Sequence, residues 1–134
     1  MDAEVKLTSA GIQPSAQRLA VASFVLFTDT HPSAEQVWEK AQKILPMISR
    51  ATVYNTLNLF VKKGILKELV LAEGRSVYDP KTGPHHHFID ESTGSIHDIP
   101  WESLDVRHVD ELTGFDICEY QVVLKGRRHR SWKK

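Results

Sequence analysis

The chain has 134 residues, of which 41% are hydrophobic and 25% are charged. This length and composition fit one or two small globular domains, and they exclude a large multidomain enzyme and a disordered protein. The formal net charge is zero, so overall charge gives no sign of nucleic-acid binding. No run approaches the roughly 20 apolar residues of a transmembrane helix, and residues 1–10 lack the pattern of a signal peptide, so we expect a cytoplasmic protein without a membrane partner.

The first half of the chain is predicted to be helical. Apolar residues at helical spacing predict a first helix that ends near Thr28. Ser33 and the glutamine three residues later have the spacing of a capping box, so a second helix begins near Ser33 and ends before Pro46. A third helix runs from Ser49 to Gly64, since glycine readily takes the positive φ found at helix ends.

The third helix has two different faces, and it is followed by a predicted hairpin. One face is apolar, while the opposite face carries small and hydrogen-bonding groups. Two short strands, Ile65–Leu71 and Arg75–Tyr78, come next. Two helices, a short turn, a further helix and a hairpin form the order of a winged helix-turn-helix. The residues of the polar face are Ala51, Thr52, Asn55 and Asn58.

The polar face of the third helix is suited to reading DNA. A recognition helix meets base edges in the major groove through amide, hydroxyl and small groups. Asn55 is the sharpest candidate, because asparagine can pair with adenine through two hydrogen bonds. The pattern alone is equally compatible with the solvated face of an ordinary amphipathic helix.

The second half changes character at Asp79-Pro80. Strands are predicted over His85–Asp90 and Ser95–Ile99, with a Ser-Thr-Gly turn between them. A short helix from about Trp101 to Leu112 and a longer strand over Phe115–Leu124 follow.

Charge is distributed unevenly along the chain. Residues 1–79 carry nine Lys/Arg and eight Asp/Glu, residues 80–124 carry two and nine, and residues 125–134 carry six and none. The acidic middle suits cations, and the basic tail suits either an anionic partner or solubility.

The single cysteine, Cys118, lies on the apolar side of the last predicted strand, where we expect a small core residue and not a reactive thiol. One cysteine can form neither an intramolecular disulfide nor a thiolate zinc cluster. We therefore expect oligomerisation to help stabilise this small fold.

Three consecutive histidines, His85, His86 and His87, are the strongest chemical signal in the chain. Alternate residues of a strand share a face, so His85 and His87 project together and offer two nitrogen ligands. Imidazoles combined with carboxylates best match Fe(II) or Mn(II), and zinc also fits. The plain alternative is a surface histidine run without a ligand. Three further residues are placed where each could join the same ion: Asp79, Asp98 and His31.

The sequence resembles the ferric uptake regulator (Fur) superfamily of metal-dependent transcriptional regulators, and most closely its peroxide-responsive PerR and iron-responsive Irr branches. Nearly the whole chain takes part in the resemblance. The segments that carry it are 11–18 (GIQPSAQR), 31–37 (HPSAEQV), 48–58 (ISRATVYNTLN), 64–66 (GIL), 78–79 (YD), 85–87 (HHH) and 96–100 (IHDIP).

The resemblance implies a complete regulatory metal site and a DNA-contacting helix. Tyr54 and Asn55 occupy the positions that the family uses for DNA contact. The implied metal ligands are His31, Asp79, His85, His87 and Asp98. The DNA-contacting residues are predicted to be Arg18, Arg50, Thr52, Tyr54, Asn55 and Asn58.

The sequence departs from the family pattern at three places. Most members have paired Cys-x-x-Cys motifs for a structural zinc, but residues 90–93 (DEST) stand where the first pair would be, and there is no second pair. We therefore predict no structural zinc held by four cysteines, a feature shared with Irr proteins. The Cys-Pro haem motif of some Irr proteins is missing, which leaves haem control open. Gln13 replaces a basic residue that several relatives direct at the minor groove.

We predict an α+β fold, in which a winged helix-turn-helix DNA-binding domain (residues 1–79) precedes a small α/β metal-binding and dimerisation domain with a basic tail (residues 80–134). The protein is predicted to be a homodimeric regulator that binds a pseudo-palindromic operator in double-stranded DNA and one regulatory divalent metal per subunit. It would respond to peroxide by oxidation of His31 or His85. One alternative is an Irr-type regulator that senses iron status or haem through the same residues. An alternative from another class is a hydrolytic metal centre. Between a regulator and an enzyme, we predict that the protein is not an enzyme.

Overall fold

Helices come first and strands second in the computed structural model, which describes residues 2–71 and 74–129. The described chain divides into two compact units between Thr82 and Gly83. This mixed architecture, with a helical unit carrying a hairpin followed by a smaller sheet, confirms the predicted α+β class. The elements are α1 (Ala3–Ser9), α2 (Ala16–Val25), α3 (Ala34–Ile44), α4 (Arg50–Lys62), β1 (Lys67–Val70), β2 (Ser76–Asp79), β3 (His85–Asp90), β4 (Ile96–Pro100) and β5 (Val123–Gly126).

The helices of the first unit begin at side-chain caps. Ser33 caps α3, and its reciprocal bonds with Gln36 form the predicted capping box. Ser49 caps α4 by accepting a hydrogen bond from the backbone N–H of Thr52 (3.1 Å). Beyond α4, Gly64 takes a φ of +82°, so the predicted end of this helix is also confirmed.

Two helical details differ from the sequence-based expectation. Helix α1, capped by the carboxylate of Asp2, was not predicted, because its seven residues carry only one buried side chain, Leu7. Helix α2 ends at Val25, before the predicted boundary at Thr28. The hydroxyl of Thr28 instead bonds with that of Thr30 at 2.7 Å, which favours a turn over a further helical residue.

Helix α4 packs its predicted apolar face into the core of the first unit. Val53, Leu57 and Phe60 are completely buried. Burying a side chain of this size contributes about 1.5–3 kcal/mol. These contacts hold the opposite face of α4 toward solvent.

Strands β1 and β2 form the antiparallel hairpin that follows α4, with Leu69 opposite Val77. The backbone N–H of Tyr78 donates to the carbonyl of Pro32 at 2.9 Å, so β2 is fixed to the loop that precedes α3. Burial is the main reason that the pKa of the Tyr78 hydroxyl is raised to about 12.

The second unit is a three-stranded sheet with β3 at its centre. Strand β4 pairs antiparallel with β3, placing His87 opposite Asp98, and β5 pairs parallel with β3, placing His87 opposite Val123. The turn between β3 and β4 is closed by the Asp90 carboxylate, which accepts hydrogen bonds from the backbone N–H (2.9 Å) and the hydroxyl (2.6 Å) of Ser92. The hydroxyl bond is the main reason that the pKa of Asp90 is lowered.

Three expectations for residues 101–124 are wrong. The predicted helix is replaced by two short 3₁₀ turns, Trp101–Ser103 and Val109–Glu111, because His108 adopts a left-handed φ of +71° that interrupts any continuous helix. The predicted long strand begins only at Val123. Cys118 is exposed and is not a core residue, since residues 111–120 are all exposed and offer no buried face.

Within the described residues, none of the helices has the length and apolar character needed to cross a membrane.

Candidate metal centre and DNA-contacting helix

The exposed face of α4 presents the predicted base-reading side chains. Tyr54 is 52% exposed, and Asn55 and Asn58 are exposed as well. Thr52 is less exposed than these three residues, since it is half-buried and its hydroxyl accepts a hydrogen bond from the hydroxyl of Ser49 at 3.0 Å. The structure therefore presents the two asparagines and Tyr54 more openly than Thr52.

Arg50, at the start of α4, is held by residues of α3. Its Nε and a terminal nitrogen each donate to the carboxylate of Glu35 at 3.0 Å, and its guanidinium lies 3.8 Å from the ring centre of Trp38. The hydrogen bond from Arg50 lowers the pKa of Glu35. This arrangement links the two helices on either side of the turn, and sequence analysis missed it because the paired residues are 15 positions apart.

A surface groove of about 450 Å³ lies beside the exposed face of α4, between that helix and the start of α2. Arg18 lines this groove, and its guanidinium donates to the carbonyl of Gln13 at 3.0 Å. Arg18 and Asn55 thus border the same groove, although they come from different helices.

In the first unit, His31 and Asp79 form a buried pair. The Nε2 atom of His31 lies 3.2 Å from Oδ2 of Asp79, and both side chains are less than 5% exposed. The other oxygen of Asp79 accepts the backbone N–H of Lys81 at 2.9 Å. His31 also has a φ of +54°, a strained conformation for a residue other than glycine, and such strain is common at functional sites.

In the second unit, His85, His87 and Asp98 come together as the strand spacing predicts. The Nε2 atoms of the two histidines lie 3.4 and 3.6 Å from the same oxygen, Oδ1 of Asp98. The side chains are 11%, 6% and 20% exposed in the order His85, His87, Asp98, so this triad is largely shielded from water. Register explains the arrangement, because His87 and Asp98 are directly opposite on β3 and β4.

The Nδ1 atoms of both histidines face oxygen atoms of the same unit. Nδ1 of His85 lies 2.8 Å from the carbonyl oxygen of Gly83, and Nδ1 of His87 lies 2.6 Å from Oε1 of Gln121. A histidine that ligates a metal through one ring nitrogen usually donates the N–H of the other nitrogen to such an acceptor. Gln121 was missed by sequence analysis, because nothing in the sequence pairs a glutamine with a histidine 34 positions earlier.

His86, the middle histidine, has a packing role. It is 1% exposed, and its ring stacks on Trp101 with a centroid distance of 4.6 Å and an angle of 13°. Its Nδ1 atom accepts the backbone N–H of Val122 at 2.8 Å. The two outer histidines are therefore the members of the triplet that share the carboxylate of Asp98.

The donor atoms of the two groups fit a divalent transition metal. Imidazole nitrogens and carboxylate oxygens, buried or nearly so, are the ligand types that iron, manganese and zinc accept in proteins. Outer hydrogen bonds of the kind that orient metal ligands reach Asp79 in the first group and His85 and His87 in the second.

Comparison with known proteins identifies the family. The model of the ferric uptake regulator family matches residues 9–125. The peroxide-responsive repressor PerR of Staphylococcus aureus strain Mu50 is 34% identical over 122 residues, which cover 90% of this chain and 82% of that protein. The chain belongs to the ferric uptake regulator family. It is therefore a metal-dependent, DNA-binding transcriptional regulator and not an enzyme, which confirms both predictions.

Solved structures of Fur-family proteins have the same fold. A zinc-bound manganese uptake regulator aligns with a TM-score of 0.69 at 26% identity, over 96% of this chain and all of that one. PerR from Streptococcus pyogenes aligns with a TM-score of 0.52 at 27% identity, over 96% of this chain and 92% of that one. Fur-family regulators bind DNA and act as dimers.

Proposed function

We propose that this Fur-family protein is a peroxide-responsive repressor of the PerR type, which binds one regulatory Fe(II) or Mn(II) ion per subunit. The observation that carries the proposal is the convergence of the imidazole nitrogens of His85 and His87 on Asp98, in a chain that is 34% identical to a PerR protein. Zn(II) is the ion most expected to replace the native metal during purification, since its intrinsic affinity exceeds that of iron or manganese. A protein that acts on operator DNA would work in the cytoplasm.

The proposed ligands are the pair from the first unit and the triad from the second. Three imidazoles and two carboxylates form a shell that suits Fe(II) or Mn(II). An ion bound by both groups would couple the DNA-binding residues 1–79 to the dimerisation residues 80–134. Typical coupling free energies of this kind are about 1–3 kcal/mol, which corresponds to roughly a 5- to 150-fold change in DNA affinity.

The proposed peroxide response is an oxidation of His31 or His85. When bound, Fe(II) supplies the redox activity that makes peroxide reactive toward a neighbouring ring. The histidine gains one oxygen atom at a ring carbon, the hydrogen of that carbon ends on a ring nitrogen, and one molecule of peroxide becomes one molecule of water. Two electrons leave the imidazole, which then binds metal poorly, and the operator is released.

The proposed DNA contacts combine base reading and phosphate binding. Asn55 would read a base edge, with Tyr54, Asn58 and Thr52 beside it, and the arginines Arg18 and Arg50 would bind phosphates. Asn55→Ala should then cost about 1–3 kcal/mol of operator affinity and relax selectivity at one base pair. Binding to duplexes with single substitutions at each position of an operator selected from random DNA would measure both effects; uniform weakening at all positions would contradict base reading.

Homodimerisation is proposed for the second unit, where large apolar side chains are exposed. Phe115 is 71% exposed and Leu112 is 54% exposed. A dimer of this kind would place two recognition helices on a pseudo-palindromic operator. A structural zinc held by four cysteines takes no part, because the chain has one cysteine.

The Irr-type alternative is not favoured. The curated relative described above is a peroxide-responsive repressor, and a solved relative is a PerR protein. The buried stack of His86 on Trp101 also removes the middle histidine as an accessible haem ligand.

The deciding experiment compares the Fe(II) and Mn(II) forms after anaerobic purification and treatment with low peroxide. We expect operator release from the iron form alone, together with a gain of one oxygen on the peptides that contain His31 or His85. His108 is exposed and is not among the proposed ligands, so oxygen gain assigned to His108 itself by fragmentation, separately from any gain on the exposed thiol of Cys118, is the internal control. Equal oxidation of both metal forms, or none in the iron form, would contradict the proposal.

A further inference from the structure

Gln121 contacts a proposed metal ligand from a segment that has no regular secondary structure. Its Oε1 atom lies 2.6 Å from Nδ1 of His87, although 34 residues separate the two in sequence. Val122, the next residue, makes two further hydrogen bonds: its carbonyl accepts the backbone N–H of His87 at 3.1 Å, and its N–H donates to Nδ1 of His86 at 2.8 Å. The backbone beside Gln121 is therefore fixed to the histidine triplet.

The bond to Gln121 determines which nitrogen of His87 carries the proton in the neutral ring. Both neighbouring oxygens can only accept, and Oε1 of Gln121 at 2.6 Å is much closer to the ring than Oδ1 of Asp98 at 3.6 Å, so the geometry favours Nδ1 as the protonated nitrogen. Nε2 is then the unprotonated nitrogen, and this is the atom that lies 3.6 Å from Oδ1 of Asp98. The tautomer is the one required for metal binding through Nε2.

His85 reaches the same state by a different route. Its Nδ1 atom bonds to the backbone carbonyl of Gly83 at 2.8 Å, a contact that no side-chain substitution removes directly. The two nitrogen ligands on β3 are thus oriented by one backbone acceptor and one side-chain acceptor. Only the second can be altered by changing a single side chain.

We propose that Gln121 is a positioning residue of the metal centre, which holds His87 in the Nδ1–H tautomer and thereby sets the affinity of the site. The inference rests on the metal site of the proposed function. A neutral amide makes the ligand less basic than a carboxylate at the same position would, so Gln121 favours moderate, reversible metal binding.

The first test examines the metal-free protein. Long-range ¹H–¹⁵N NMR spectra at a pH where the imidazoles are neutral report the protonated nitrogen of each ring. We expect His87 to be in the Nδ1–H form in the wild type and in Gln121→Glu, which keeps an acceptor, and to lose that preference in Gln121→Leu. His85 is the internal reference and should keep the Nδ1–H form in all three proteins. A Gln121→Leu protein in which His87 stays in the Nδ1–H form would overturn the proposal.

The second test measures metal binding by titration with Mn(II) and, separately, Zn(II). Loss of an outer partner of a ligating histidine typically weakens metal binding about 10- to 100-fold, and we expect this loss in Gln121→Leu. Gln121→Glu should bind at least as tightly as the wild type, which also shows that the segment tolerates substitution. Unchanged affinity in Gln121→Leu, despite a changed tautomer, would refute the positioning role. A wild type that binds neither metal would instead refute the proposed function, while the tautomer result would still stand.

Discussion

The carboxylate of Asp98 is one of the two proposed to ligate the metal ion, and Asp98→Asn tests the contribution of its charge. The substitution keeps the size of the side chain and one carbonyl oxygen near the two imidazole nitrogens, which lie 3.4 and 3.6 Å from Oδ1 in the wild type. A divalent ion and a carboxylate about 4 Å apart interact by about 2 kcal/mol in water and about 8 kcal/mol at an effective dielectric constant near 20. Because the side chain is 20% exposed and asparagine keeps one oxygen that can bind the ion, we expect a loss near the lower value, about 2–3 kcal/mol, or roughly 30- to 140-fold in metal affinity.

Asp90→Asn is the matched control for this measurement. Asp90 is also a buried carboxylate of the same sheet, but its hydrogen bonds go to the turn at Ser92. Titration of the metal-free proteins with Mn(II), in competition with an indicator dye, should show weakened binding for Asp98→Asn and wild-type binding for Asp90→Asn. Equal metal affinity of Asp98→Asn and the wild type would show that Asp98 is not a ligand and that the triad has another role.

Three further substitutions test other parts of the molecule. Gly64→Ala should lower the free energy of unfolding, measured in urea, by about 1 kcal/mol, because the φ of Gly64 is +82°. Gly83→Ala is the control and should be nearly neutral, because the φ of Gly83 is not positive. Equal effects of the two substitutions would show that the positive φ of Gly64 is not what makes glycine necessary there. Glu35→Gln should raise operator affinity a few-fold at low salt in fluorescence anisotropy, because Arg50 is no longer paired with a carboxylate. Glu39→Gln should give a smaller gain, because Glu39 acts on Arg50 through its charge and not through a hydrogen bond. Equal gains, or no gain in Glu35→Gln, would contradict phosphate binding by an Arg50 that Glu35 restrains. The pKa of Asp90 lies below 3.8 in the folded protein, so its carboxylate stabilises the fold above that pH, and this contribution is lost on further acidification. The free energy of unfolding of Asp90→Asn in urea should therefore depend less on pH between 5 and 3 than that of the wild type. Identical pH dependence of the two proteins would contradict the lowered pKa of Asp90.

The first unit was largely predictable because its signals are local. Capping by Ser33 and Ser49 and the positive φ of Gly64 depend on a few neighbouring residues. The apolar face of α4 follows from helical periodicity in the same way. Residues 101–124 could not be predicted with the same rules, because their alternating apolar pattern indicates a buried face that this part of the described chain does not have.

The placement of His85 and His87 on one face was predictable, whereas the contacts that support the candidate site were not. Strand periodicity alone put His85 and His87 on one face, and the resemblance to the family supplied the full ligand set, which remains a proposal. The bonds from His87 to Gln121 and from Arg50 to Glu35 depend on tertiary packing between distant segments. No local pattern in a single sequence encodes such pairs.

The turn between β3 and β4 is held by protein hydrogen bonds, so the folding of this sheet does not depend on the proposed regulatory metal ion. In this chain the turn is closed by the Asp90 carboxylate and the Ser92 hydroxyl, groups that need no ion to make their bonds. A chelator such as EDTA should therefore remove the proposed regulatory ion and leave this sheet folded. The metal-free protein can then be reloaded with an ion without refolding, for as long as its ligand histidines have not been oxidised.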